Sequence, residues 1–195
     1  MQLLIATTNP GKKREMAAAF KDHYEVVALA DMPNIVIVPE TGETFEENAV
    51  LKAKGYFEQT GIPCVADDGG LMVDILEGGP GVHSNRWLGE GATDAELASA
   101  IVSALDGVPY ERRTARLGGA LVYWDGERLL KYENQIYGYI TLELTEPIED
   151  GFPYRSILEV PQYDKLYSQL TEEEHDEVNF RRKSLAALKR DVLSP

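Results

Sequence analysis

Hydrophobic positions in this chain alternate between a strand-like and a helix-like spacing. Gln2 to Thr7, apolar from Leu3 to Ala6, reads as a buried strand, Pro10 to about Asp22 reads as a helix, and Tyr24 to Leu29 returns to strand. A helix follows from near Thr44, where Thr44 and Glu47 fit the S/T-x-x-E capping box, and Gly61-Ile62-Pro63 stops it before a short strand at Cys64 to Ala66. Thr93 caps another helix over Asp94 to Leu105, and LEGGPG at Leu76 to Gly81 reads as a tight turn or loop. Arg116 to Trp124 and Glu127 to Tyr137 flank Asp125-Gly126, the dipeptide of a two-residue type I′ hairpin, and Gly118 and Gly119 suggest a bulge or a close backbone approach. Thr171 to Asp176 and Asn179 to Val192 read as helices, the second with Leu185, Leu188 and Val192 on one face. The predicted fold class is α/β, a mixed elongated sheet flanked by helices. The expectation is one domain over residues 1–195, divided by folding into two lobes with a central cleft, because no repeat or Gly/Ser linker marks a boundary.

Composition narrows the function classes. The 195 residues are 44% hydrophobic and 27% charged, enough chain to bury about 70% of its unfolded surface. Nineteen Lys and Arg stand against 33 Asp and Glu, and the net charge of −14 opposes binding to an extended nucleic-acid backbone. A single Cys64 excludes an internal disulfide framework, and no segment approaches the ~20 apolar residues of a membrane helix. The lysines follow the first apolar run instead of leading it, which is not the layout of a secretory leader, so the expected location is cytoplasmic. His23, His83 and His175 are too scattered for a histidine metal centre, and there is no G-x-S-x-G elbow.

Three stretches carry candidate chemistry. Asn9 suits an N-cap, Pro10 the first helical position, and Gly11 leaves the backbone open, so the free N–H groups of that helix and Lys12 would attract a phosphate or carboxylate. A plain capped helix with surface lysines has the same appearance. On a helical wheel Phe45, Ala49, Ala53, Tyr56 and Phe57 form an apolar stripe that includes Lys52, with Asn48 at its edge. A lysine in that position either meets an anion or reaches past the rim to water. In ADDGGLMVD, Asp67 and Asp68 end an apolar run before two glycines, which predicts a turn whose paired acids suit Mg²⁺, although an Asp-Gly turn alone accounts for them too. Together these are the parts that phosphoryl transfer requires.

The blocks TTNPGKKREM, ETGETFEENAVLKAK, ADDGGLMVDILEGGPGVHSNRWLGE, RTARLGGALVY, GFPYRSILEVP and LTEEEHDEVNFRRKSL resemble, in order and spacing, the inosine triphosphate pyrophosphatase (Ham1-like) family over nearly the whole chain. The resemblance implies a Mg²⁺-dependent homodimeric enzyme that cleaves a nucleoside triphosphate between the α and β phosphates, giving monophosphate and pyrophosphate. By position, Thr7, Asn9, Lys12 and Lys52 would hold phosphate, and Glu40, Asp67 and Asp68 would serve the metal. Asp68 would also position or deprotonate the attacking water.

The base-recognition end departs from the family pattern. G-F/W-G-Y-D-P reads here Gly151-Phe152-Pro153-Tyr154-Arg155-Ser156, which keeps the stacking Phe152 and puts Arg155 where an Asp acceptor is usual. S-H-R-G reads Asn179-Phe180-Arg181-Arg182, keeping only Arg181, and Gly69 replaces a usual Ser. Phe152, Arg155 and Arg181 are therefore the candidate base contacts. Replacing an acceptor by a five-donor cation inverts the hydrogen-bond logic. Two readings follow: a pyrophosphatase with altered base preference, or a diverged nucleotide binder or sensor with little turnover.

Overall fold

A computed structural model describes residues 1–193. The strands are β1 (Gln2–Ala6), β2 (Glu25–Ala28), β3 (Cys64–Val73), β4 (Thr114–Trp124), β5 (Leu129–Ile140), β6 (Leu158–Val160) and β7 (Lys165–Leu166). The helices are α1 (Pro10–Phe20), α2 (Phe45–Thr60), α3 (Asp94–Ala104), α4 (Glu172–Val178) and α5 (Phe180–Leu193). The strands pair in the order β2-β1-β3-β4-β5-β6-β7, with β1 parallel to β2 and β3, and β6 antiparallel to β5 and β7. This is the mixed α/β sheet expected from the alternating periodicities.

The helix boundaries follow from local chemistry. Asn9 caps α1 by accepting a hydrogen bond from the Lys12 backbone N–H at 2.9 Å, ahead of Pro10 at the first helical position. Thr44 and Glu47 form the reciprocal capping box of α2, and Gly61 ends that helix in the left-handed conformation at φ 67°, where a side chain would be strained. Thr93 with Glu96 and Thr171 with Glu174 repeat the box at α3 and α4.

Two local expectations are corrected. Asp67, Asp68, Gly69 and Gly70 do not form a turn but lie inside β3, which runs on to Val73. The strand starts where Cys64, Val65 and Ala66 pair with Leu4, Ile5 and Ala6 of β1, and the place of β3 next to β4 in the sheet outweighs the poor strand preference of Asp and Gly. The β4–β5 connection spans residues 125–128 instead of two residues. Of its central pair only Gly126 has positive φ, whereas type I′ needs both, and the Asp125 carboxylate organises the loop by accepting from the Glu127 and Arg128 N–H groups at 3.0 and 2.7 Å.

The chain forms two compact units. One contains Met1–Asp68, Gly119–Asn134 and the chain from Arg181 onward; the other contains Gly69–Gly118 and Gln135–Phe180. In the first unit the sheet is covered on both sides. Leu4, Ala6, Cys64, Ala66, Ala120 and Val122 pack with Ala49, Ala53 and Tyr56 of α2, while Leu3, Ile5, Val65, Leu121 and Tyr123 pack with Met16 and Phe20 of α1 and Leu185 and Leu188 of α5. Odd and even positions of β3 thus enter different cores, as the period of two dictates. Burial pushes the Cys64 thiol pKa up and leaves it an inert core residue. The second unit has its own core around Leu97, Ile101, Ile140, Ile157 and Tyr167.

Candidate active site

The end of β3 in the first unit carries two consecutive buried carboxylates, Asp67 at 2% and Asp68 at 5% exposure. On a strand, neighbours point to opposite faces, so the two acids are sequence-adjacent but serve different surroundings. Asp67 joins the α1 and α5 side. Its Oδ1 lies 2.6 Å from Lys12 Nζ, and its Oδ2 accepts from Arg181 Nε at 3.0 Å. The Arg181 guanidinium also reaches Oδ1 at 3.5 Å and donates through Nη1 to Glu15 Oε2 at 2.9 Å.

Asp68 joins the α2 side. Its Oδ2 accepts from Asn48 Nδ2 at 3.1 Å, while Asn48 Oδ1 accepts from the Gly42 N–H at 2.8 Å, an arrangement that fixes which end of the amide faces the carboxylate. Lys52 Nζ stands 3.5 Å from Asp68 Oδ1, 2.7 Å from Glu40 Oε1 and 2.7 Å from the Asp67 carbonyl oxygen. The lysine in the apolar stripe is therefore buried against anions and does not extend past the rim.

The electrostatics divide the two aspartates further. Burial alone would raise the Asp67 pKa, but Arg181 and Lys12 outweigh it and hold the group well below the usual carboxylate range. For Asp68 burial wins: with Lys52 at the longer distance and Glu40 adding like charge, its affinity for a proton is raised despite Lys52, Lys12 and Asn48. Burial opposes the charge on Lys52, yet Asp68 and Glu40 more than offset it and its pKa rises. Adjacent acids with pKa values pushed apart are the arrangement that separates a permanent anion from a proton acceptor.

The donor chemistry around Lys52 suits a hard cation. Glu40 and Asp68 supply carboxylate oxygens and Asp67 a carbonyl oxygen, here gathered on an ammonium. The Asp67 carboxylate is turned away onto Lys12 and Arg181, and among the described residues no group of three or more His, Cys, Asp or Glu side chains is disposed to hold a metal ion. Two carboxylates without an all-protein cage match the sparse way Mg²⁺ is held beside phosphates.

At the start of α1, the Thr7 hydroxyl accepts from the Asn9 N–H at 3.1 Å, so Thr7, Asn9 and Lys12 form one hydrogen-bonded turn. Phe152 and Arg155 lie together in the second unit. The Arg155 guanidinium carbon is 3.6 Å from the centre of the Phe152 ring and 5.2 Å from that of Tyr167, and Nη1 donates to Glu149 Oε2 at 3.0 Å. Arg181, grouped with these two as a base contact, is held in the first unit on Asp67 and Glu15. Sequence reasoning missed two members of the carboxylate network, Glu15 and the Asn48 contact to Asp68. The signal for Glu15 was the fixed spacing Lys12-x-x-Glu15, which places both on one helix face.

The chain is similar to known proteins over nearly its whole length. A family model described as the Ham1 family matches residues 3–191. A dITP/XTP pyrophosphatase of Geobacillus kaustophilus is 43% identical over 189 residues, covering 96% of this chain and 92% of that protein. Another from Photobacterium profundum is 37% identical over 195 residues, covering 96% and 95%. Among solved structures, the Staphylococcus aureus Ham1 protein superposes with a TM-score of 0.84 at 29% identity over 98% of each chain. A nucleoside-triphosphatase / dITP/XTP pyrophosphatase of Mycobacterium abscessus gives 0.76 at 36% identity, covering 96% of this chain and 98% of that one.

Proposed function

The chain belongs to the Ham1 family, and from that premise we propose that it is a nucleoside triphosphate pyrophosphatase cutting between the α and β phosphates of a purine nucleotide with an altered base. The relatives' substrates, dITP and XTP, are the first candidates for this chain. The observation that carries the reading is the division of labour between Asp67 and Asp68, beside two buried lysines.

Lys12 and Lys52 bring positive charge to the phosphate tail, which would approach the start of α1, where Pro10 has no N–H, Asn9 accepts from the Lys12 N–H, and Gly11 carries the first helical donor. Asn48 holds one Asp68 oxygen, which leaves the other to accept a proton from water as the α–β bridge breaks. Glu40 and Asp68 would hold Mg²⁺, which when bound supplies charge neutralisation at the leaving pyrophosphate. Asp67 keeps Lys12 and Arg181 in place as a fixed anion. The family resemblance alone supports a homodimer working in the cytoplasm, and Phe152 and Arg155 as contacts to the base.

One observation favours the second reading, a diverged nucleotide binder: the Arg155 guanidinium already covers a face of Phe152. Pyrophosphate release from dITP, XTP and the standard triphosphates, with and without Mg²⁺, separates the two. Release from an altered purine that vanishes in Asp68→Asn while the nucleotide still binds supports the enzyme. Tight binding with no release from any triphosphate supports the binder.

A further inference from the structure

From the four-membered chain of charges around Asp67 of β3, we infer that Glu15 is a positioning residue that sets the place of Lys12 by orienting Arg181 on Asp67, an inference that rests on Lys12 being a phosphate contact.

Asp67 has two cationic partners and only two oxygens. Arg181 takes both in the side-on fork that guanidinium and carboxylate favour, but unevenly, and Oδ1, with two lone pairs, accepts from Lys12 as well. Nε takes Oδ2 at 3.0 Å, Nη2 reaches Oδ1 only at 3.5 Å, and Nη1 is drawn at 2.9 Å onto Glu15. The guanidinium is planar and rigid, so fixing Nη1 fixes the rotation of the whole fork. That rotation keeps the Nη2 contact long, so the short contact at Oδ1 is the one to Lys12 at 2.6 Å.

The sequence spacing makes the device self-consistent. Lys12 and Glu15 are three residues apart on α1 and share a face, so one helix supplies both ends of the alternating series Lys12, Asp67, Arg181, Glu15. Without Glu15 the group holds two buried cations on one carboxylate. With it, the charges balance: two of each sign, all largely buried. Glu15 touches neither phosphate nor water in this scheme and acts only through its neighbours.

The test is a mutant cycle read by calorimetric binding of inorganic tripolyphosphate, with folding of each variant checked by circular dichroism. Glu15→Gln, which keeps the shape and removes the charge, is expected to bind tripolyphosphate about tenfold more weakly than the wild type, the order of one misplaced charge-assisted contact. Glu15→Asp should recover part of that loss and serves as the second variant if Glu15→Gln does not fold. In a Lys12→Met background, Glu15→Gln should add nothing further, because its target is already gone. Wild-type affinity in folded Glu15→Gln, or a full additive loss on top of Lys12→Met, overturns the inference, as does absence of tripolyphosphate binding to the wild type. The pyrophosphatase reading fails separately, through absence of pyrophosphate release, and this cycle is read without turnover.

Discussion

Exchanging either member of the Asp67-Asp68 pair for asparagine removes one negative charge and little volume, yet the two changes should move stability in different directions. Asp67→Asn leaves Lys12 and Arg181, both buried, with Glu15 as the remaining carboxylate of their group. Breaking one side of such a buried set costs about 3–5 kcal/mol, since a cation is left uncompensated. For a chain of this length each kcal/mol moves Tm by about 2–4 °C, so a drop of roughly 6–20 °C is expected.

Asp68→Asn removes a charge that burial already disfavours. Lys52 keeps Glu40 and the Asp67 carbonyl as partners, so Tm near neutral pH should equal or exceed the wild-type value. The pH dependences also have opposite sign. The folded-state pKa of Asp67 is lowered, so its stabilisation is present above the ordinary value of 3.8 and is lost as pH falls below it. That of Asp68 is raised, so the folded chain binds its proton more tightly than the unfolded chain, and stability falls as pH climbs from 3.8 through the raised value. Thermal melts followed by circular dichroism across the acidic to neutral range measure both. Two variants that melt together, or a destabilised Asp68→Asn beside an unaffected Asp67→Asn, would refute the assignment of opposite roles.

Two further outcomes are expected. Lys52→Met should bind Mn²⁺ more tightly than the wild type in nucleotide-free protein, read by electron paramagnetic resonance, because the ammonium no longer competes for Glu40 and Asp68; unchanged or weaker binding would remove these two as the cation's ligands. Thr44→Ala should lower the urea midpoint by the equivalent of about 1 kcal/mol, since it deletes the hydroxyl that accepts from the Glu47 N–H at 3.1 Å, and a midpoint equal to the wild type's would count against the capping box.

What the sequence disclosed, and what it hid, follows the range of the interactions. Thr44 with Glu47 and Thr93 with Glu96 were legible because a capping box is complete within four residues. The inward face of Lys52 was legible because a helix repeats its faces on a short period. Asp67 and Asp68 were misplaced on a turn because their glycine neighbours favour one locally, whereas the extended conformation belongs to a sheet whose other strands are distant in sequence. The type I′ reading of Asp125-Gly126 failed on another local competitor, a side chain that satisfies two backbone N–H groups by itself. Arg181 meets Asp67 across 114 positions, a pairing with no local signature. Glu15 stood at a fixed step from Lys12, but its partner could not be seen from the helix alone.

The alternation of side chains along β3 also limits how this protein can change length. Inserting or deleting one residue between Cys64 and Asp67 would exchange the parity of the strand, turning Asp68 toward Lys12 and Arg181 and presenting a neighbour to Asn48 and Lys52. Every candidate site residue would still be encoded, and their arrangement would be lost. A change of two residues keeps each aspartate on its own side and shifts it along the strand instead. In this segment even steps should therefore disturb the site less than odd ones, a constraint on insertions and deletions that residue identity alone does not reveal.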